Sequence, residues 1–369
     1  MPTFSRESRV PIERIHVHAF TIPTRTPESD GTLDWGKTTI VLVEAEAGGA
    51  QGLGHTYADE ACAKLIHSKL RQEVEGKDAL DVNACWQAML CSIRNLGRPG
   101  ICSMAIAAVD SALWDLKARL LGLPLVKLLG QVREAAPIYG SGGFCNYSIP
   151  ELQAQLSGWV EQGIPRVKLK IGRHPEQDLE RVKAARKAIG PNTELFVDAN
   201  GAYSRKQALA MAEKFTEYGV KWFEEPVTSD DLEGLRLIRD CAPAQMEIAA
   251  GEYGYDLFYF RRMLDAGAVD VLQADGTRCA GITGLLGASA LCEARSMPLS
   301  IHTAPAWHMH PACALAGLRH IEYFYDHVRI EQMLFEGVSV PANGELRPDL
   351  SHPGNGLELK RSVAQKYAA

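Results

Sequence analysis

Positive charge is in short supply, with 39 Lys and Arg against 45 Asp and Glu and a net charge of −6. A nucleic-acid or anionic-membrane partner calls for a basic stripe, so neither is expected. No run approaches the ~18 uninterrupted apolar residues of a membrane span. The opening, MPTFSRESRVPIERI, lacks the apolar core of a secretory signal. The nine cysteines, at 62, 85, 91, 102, 145, 241, 279, 292 and 313, are an odd number and form no CxxC pair. Most sit among Ala, Leu and Ile, where a thiol behaves as a small hydrophobe. That excludes a thiolate zinc site and points to a reducing, cytoplasmic compartment. No Pro/Gly/Ser linker or low-complexity tract interrupts the chain, so its domains should pack tightly.

What is present is size and pattern. A chain of 369 residues, 46% apolar and 23% charged, has the composition of a soluble globular protein. It is too long for one ordinary core and long enough for a barrel of roughly 250 residues plus a second domain. Residues 12–22, 38–46 and 51–57 alternate as strands, the last two joined through Ala47-Gly48-Gly49-Ala50. Between the first two lies 23–37, polar and rich in Pro and Gly, which reads as a loop. Helical periodicity covers 58–74, 82–95 and 100–121, completing an N-terminal α+β domain over 1–133. From 134 strands and helices alternate to 330, with helices at about 149–162, 176–189, 204–218, 229–241, 256–266, 281–296 and 310–318. HIEYF reads as an eighth strand with no helix after it. Residues 331–369, broken by Pro341, Pro348 and Pro353, read as a tail returning to the first domain. The fold expected is α/β, a (β/α)7β TIM-like barrel behind a capping domain.

Seven polar residues end the apolar runs of this barrel: Lys170, Asp198, Glu224, Glu252, Asp275, His302 and Glu322. Successive members lie 28, 26, 28, 23, 27 and 20 residues apart, one strand and one helix at a time. Chemistry in such barrels sits where the strands end. Asp198, Glu224 and Glu252 come from consecutive strands, and three converging carboxylates repel one another unless a cation lies between them. All-oxygen ligands favour a hard ion, Mg²⁺. Lys168 and Lys170 share one side of their strand, and paired ammoniums should lower each other's pKa. Asp275 can hold His302 in one tautomer. His308 and His310 in WHMH, like His16 and His18, read as structural. The alternative for a carboxylate here is a helix cap or a contact to a substrate hydroxyl, and Glu225, before Pro226, is the one best placed to cap.

The order KxK, Asp, Glu-Glu-Pro, Gly-Glu, Asp, His, Glu resembles the mandelate racemase subgroup of the enolase superfamily, acid-sugar dehydratases included. The resemblance implies Asp198, Glu224 and Glu252 as Mg²⁺ ligands. It implies Lys170 and the His302–Asp275 pair as acid and base on opposite faces of the substrate. Lys168 and Glu322 would meet the substrate carboxylate or enediolate, and Asn200 a hydroxyl. The capping loops at 23–37 and around 55–57, with Trp35 and Tyr57, would close over it. A homo-oligomer, dimer or octamer, is implied too. The activity expected is Mg²⁺-dependent proton abstraction beside a small-molecule carboxylate, above all dehydration of an acid sugar. Racemisation of a 2-hydroxy acid and lactone cycloisomerisation are alternatives on the same site. A Schiff-base aldolase using a barrel lysine and a non-catalytic binding protein are readings from other classes.

Overall fold

The computed structural model describes residues 9–369; residues 1–8, part of the opening read for a secretory signal, lie outside the described residues. The alternating N-terminal segment forms an antiparallel sheet of β1 (Arg14–Ser29), β2 (Asp34–Ala47) and β3 (Ala50–Tyr57), in that order. Val41, Val43 and Ala45 on its apolar face pack against helix Ile101–Leu120, and helix Val82–Ser92 packs on that one to complete the core. The longer helix lies nearly in contact with β3. A Cβ at Gly52 would stand 2.3 Å from the Ala112 carbonyl, so only glycine admits the helix there.

The segment read as a loop, 23–37, is instead the paired end of the β1–β2 hairpin. Glu28 faces Trp35 and Ser29 faces Asp34, after a register shift that begins at Pro23. Asp30 closes the turn by accepting from the Thr32 and Leu33 amides, each at 2.7 Å. The arm is fastened to the barrel: the Cys145 amide donates to the Ser29 carbonyl at 2.8 Å and the Asn146 amide group to the Pro27 carbonyl at 2.6 Å. Composition suggested an unpacked excursion because its polar groups find partners on a distant part of the chain.

Eight parallel strands close a barrel: β4 (Ala136–Gly142), β5 (Arg166–Lys170), β6 (Glu194–Asp198), β7 (Val220–Glu224), β8 (Glu247–Ala250), β9 (Val271–Ala274), β10 (Leu299–Ile301) and β11 (Leu318–Phe324). Strand β11 pairs with β4 to complete the ring. Tyr139, Phe196, Trp222, Ala249 and Val271 plug the interior. Asp198 and Glu224 sit two residues beyond Phe196 and Trp222, on the same inward face and one layer nearer the mouth. Ser148 and Ser204 open their helices with capping boxes closed by Glu151 and Gln207.

Two helices depart from the sequence reading. The segment expected at 310–318 is a helix at Pro305–Ala312, and Leu318 already opens β11. Pro305 at the first helical position sets that start, so WHMH is helical. A helix, Tyr325–Leu334, also follows the eighth strand, where none was read. Its Ile330 and Leu334 pack against Phe20, Ile22 and Ile40 of the capping sheet. The tail pairs β12 (Phe335–Glu336) with β14 (Glu358–Leu359), while β13 (Glu345–Leu346) joins β4. Its end reaches the capping sheet, where the Ala369 amide donates to the Ala19 carbonyl at 3.0 Å. No helix among the described residues is long and apolar enough to cross a membrane.

The buried Glu331 joins this helix to the barrel by accepting from the Ala306 amide at 3.0 Å. Burial pushes its carboxyl up from 4.5 to about 8. Its contribution to stability is therefore full below about 4.5 and lost as pH rises through about 8. One such proton tilts stability by up to ~1.4 kcal/mol per pH unit. Denaturation midpoints measured from pH 5 to 8 should fall less steeply for Glu331→Gln than for the native chain. Parallel slopes would count against a protonated Glu331.

Candidate active site

The barrel mouth is built from strand ends that the capping domain holds in place. The loop after β9 is gripped from above: Thr56 Oγ1 donates to the Thr277 carbonyl at 2.6 Å and Trp86 Nε1 to the Ala280 carbonyl at 2.8 Å. Asp110, from the long capping helix, accepts from the Thr283 amide at 2.9 Å and so caps the barrel helix Gly281–Glu293. That loop begins with Asp275, so docking the cap fixes one of the expected site residues.

Asp198, Glu224 and Glu252 come together, fully buried, with one oxygen from each within 4.8 Å of the others. Around them stand the other four, together with Lys168. Lys168 Nζ lies 2.5 Å from Glu224 Oε1, 2.9 Å from Glu322 Oε1 and 3.2 Å from Asp198 Oδ2. Lys170 Nζ lies 2.5 Å from Asp198 Oδ2. His302 Nδ1 is 2.8 Å from Asp275 Oδ2, leaving Nε2 to face Glu252 at 3.4 Å and Glu322 at 3.6 Å. All seven sequence-selected residues therefore line one buried cluster.

Electrostatics in the cluster differ from the simple expectation for the lysines. Burial favours their neutral form, but Glu224 and Glu322 beside Lys168, and Asp198 beside Lys170, hold both ammoniums above the usual lysine range. Lys168 does push Lys170 down, but Asp198 outweighs it. Burial acts upward on the carboxylates, and Glu224 rises with the Asp198 charge adding to it. Lys170 and Lys168 overcome burial at Asp198 and hold it low. Glu322 is buried yet brought down to about 2, chiefly by Lys168. At Asp275 the hydrogen bond and charge of His302 overcome burial, so it stays an anion and fixes the imidazole's orientation.

The donor set suits a hard divalent cation. Three carboxylates converge, no thiol takes part, and Glu252 Oε2 has no hydrogen-bond partner among the described residues. Asn200 is placed at the edge of this cluster, its amide donating to Asp198 Oδ1 at 3.0 Å. The two capping aromatics meet the barrel further out. Trp35 donates to Glu28 at 3.0 Å and packs edge-on against Phe144, while Tyr57 stacks on His327 with centroids 3.5 Å apart.

Sequence reasoning passed over several neighbours. Arg278 Nη1 reaches Glu252 Oε1 at 3.3 Å and its Nε lies 3.7 Å from Asp275, linking the triad to the His302 pair. Ser141 Oγ donates to Glu322 Oε1 at 2.5 Å. The position of Arg278, three residues after a strand-end aspartate, was the available signal; Ser141 offered none. Glu225 does not cap a helix: Asp231 caps the one that follows, and Glu225 Oε1 is left without a partner among the described residues. His308 and His310 are structural, with the Gly276 amide donating to His308 Nε2 at 2.9 Å and the Val126 amide to His310 Nδ1 at 3.2 Å. His16 and His18 sit on β1 beside Glu46 and Glu44, at 3.4 and 3.6 Å.

Comparison with known proteins matches residues 15–130 to the mandelate racemase/muconate lactonizing enzyme N-terminal domain and 151–363 to the enolase C-terminal domain-like family. The 3,6-anhydro-alpha-L-galactonate cycloisomerase of Streptomyces coelicolor is 31% identical, covering 94% of this chain and 97% of its own. The crystal structure of a mandelate racemase/muconate lactonizing enzyme-like protein from Rubrobacter xylanophilus is 55% identical, with a TM-score of 0.95 over 97% of this chain and 100% of that one. An L-talarate dehydratase from Polaromonas sp. JS666, crystallised with Mg and L-glucarate, is 30% identical, with a TM-score of 0.87 over 98% of each chain.

Proposed function

Since the chain belongs to the mandelate racemase/muconate lactonizing enzyme family of the enolase superfamily, we propose that it dehydrates an acid sugar with Mg²⁺ held by Asp198, Glu224 and Glu252. The observation that carries this is the buried carboxylate triad flanked by Lys170 and by the Asp275–His302 pair. Bound there, Mg²⁺ supplies Lewis-acid stabilisation of negative charge on the substrate carboxylate.

The chain's own groups do the rest. Lys168 offers an ammonium to the negative charge that grows on the carboxylate as the neighbouring carbon loses its proton. Glu322, which accepts from Ser141 and pairs with Lys168, holds that ammonium in place. Lys170 and His302 carry protons. One takes the proton from the carbon next to the carboxylate; the other delivers a proton to the departing β-hydroxyl, which leaves as water. The carbon skeleton keeps the electron pair as an enol, which becomes a 2-keto-3-deoxy acid on tautomerisation. For Lys170 to accept a proton it must first lose one. With Asp198 engaged by a divalent cation, the ion pair that now keeps this ammonium charged would weaken.

Racemisation and cycloisomerisation use the same proton carriers, and the similarity to a cycloisomerase keeps the second reading open. A Schiff-base aldolase fits less well, because a nucleophilic lysine must be neutral and both candidates are paired with carboxylates at 2.5 Å. The nine unpaired cysteines suit a reducing compartment, the cytoplasm. Dimer or octamer assembly belongs to the same proposal and is read by light scattering.

The test is a panel of acid sugars incubated with protein and Mg²⁺, scored for keto-acid formation, with proton NMR in D₂O alongside. Keto acid that disappears with EDTA is the expected result. Deuterium entering the substrate without keto acid would replace dehydration with racemisation; neither signal from any acid would end the proposal.

A further inference from the structure

Resting on the acid-sugar reading, we propose that a cavity beside the carboxylate triad is a subsite for an uncharged, hydroxylated substrate tail. The chain would then prefer polyhydroxy monoacids to diacids. The cavity measures about 540 Å³, within the range of small-molecule sites. It is walled by the loops after β6, β7 and β8 and roofed by Pro99 of the capping domain. Each strand that supplies a triad carboxylate also supplies a wall residue. Asn200 follows Asp198 by two positions, Glu225 follows Glu224, and Tyr253 follows Glu252. The triad side chains themselves do not line the cavity, so a ligand held at the triad would reach it past Asn200, Glu225 and Tyr253.

The wall is polar and unsatisfied. Glu225 is 1% exposed, yet its Oε1 has no partner among the described residues. Neither has Asn200 Oδ1, and the Tyr259 hydroxyl lies next to Ser229 without an aligned bond. A buried polar group left unpaired is costly, so these atoms call for a ligand that pairs them. Glu225 and Asn200 also sit in the left-handed region, at φ 38° and 46°. Such a backbone is strained for a residue with a side chain, and strain of this kind clusters at ligand sites.

The chemistry of the wall selects the ligand. Carboxylate and amide oxygens are acceptors, so the tail must bring donors, as hydroxyls do. Asp230 and Asp256 set two carboxylates against the single guanidinium of Arg262. A second carboxylate on the substrate meets more repulsion than attraction there.

The experiment compares kcat/KM of the Mg²⁺-loaded full chain for six-carbon aldonates, the aldarates of matching stereochemistry, and three-carbon glycerate. The best aldonate should exceed its aldarate at least tenfold. Tyr259→Phe and Ser229→Ala, each removing one hydroxyl, should lower the aldonate-to-glycerate ratio at least fivefold, mainly through KM. Equal use of aldonate and aldarate, preference for an ammonium-bearing acid, or an unchanged ratio in both variants would overturn the subsite. If no acid turns over, the dehydratase reading fails by itself, and the subsite is judged by saturation-transfer NMR with xylitol. Contact with xylitol that is lost in Tyr259→Phe upholds the subsite; no contact with the native chain removes it.

Discussion

His302→Asn and Lys170→Ala should each lower turnover of the preferred acid sugar by about three orders of magnitude or more, the scale of a lost general acid or base. The two variants should differ in what they retain. Whichever residue takes the proton from carbon, its loss stops both elimination and exchange of that hydrogen with D₂O. Loss of the other stops elimination but leaves exchange, since the first carrier can still remove and return a deuteron. Steady-state rates and the NMR signal of the hydrogen next to the carboxylate measure the two effects separately. Turnover above a tenth of the native rate in either variant would remove that residue from the mechanism.

The structure also predicts what these substitutions do to the cation. Lys170 holds its ammonium 2.5 Å from Asp198 Oδ2, where it competes with any metal for that oxygen. Replacing it by alanine removes a positive charge from the triad, so Mg²⁺ affinity should hold or rise while catalysis is lost. His302 pairs through Nδ1 with Asp275, which is not one of the triad, and asparagine there should leave Mg²⁺ affinity close to native. Calorimetric titration checks both. A fall in affinity for Lys170→Ala would mean that its ammonium organises the carboxylates rather than competing for them.

The ring of seven was legible because barrel strands are short, buried and apolar until their last residue, so a terminal Asp, Glu, His or Lys stands out. Lys168 and Lys170 followed from alternation within one strand, and β5 buries both. What could not be read depends on contacts between distant segments. Residues 23–37 look unpackable until their hydrogen bonds to Cys145 and Asn146 are counted. The helix Tyr325–Leu334 was obscured by charged residues, and its buried face is shared between the capping sheet and the barrel. Electrostatics was the least legible. Adjacent ammoniums suggested mutual depression, whereas the carboxylates facing them from β6, β7 and β11 decide the direction. Arg278 illustrates the same limit: its place three residues after Asp275 hints at that contact, but its reach to Glu252 is a meeting of distant segments.

Asp198→Asn should separate the cation from the rest of the chemistry. A carboxamide keeps the shape of the side chain and one acceptor oxygen but removes a full charge from the triad. A pair of unit charges about 4 Å apart is worth ~4 kcal/mol at an effective dielectric of ~20. Even half of that weakens Mg²⁺ binding ~30-fold, since 1.4 kcal/mol is a factor of ten. The comparison that makes the result informative is Glu322→Gln. Glu322 is as deeply buried and also touches Lys168, but it lies outside the trio whose oxygens converge. It should keep near-native Mg²⁺ affinity while losing activity that added Mg²⁺ does not restore. Asp198→Asn should lose affinity first and regain part of its turnover at high Mg²⁺. If the two variants weaken Mg²⁺ binding equally, the cation is held by a wider set of carboxylates than the three assigned, and Glu322 must be counted among its ligands.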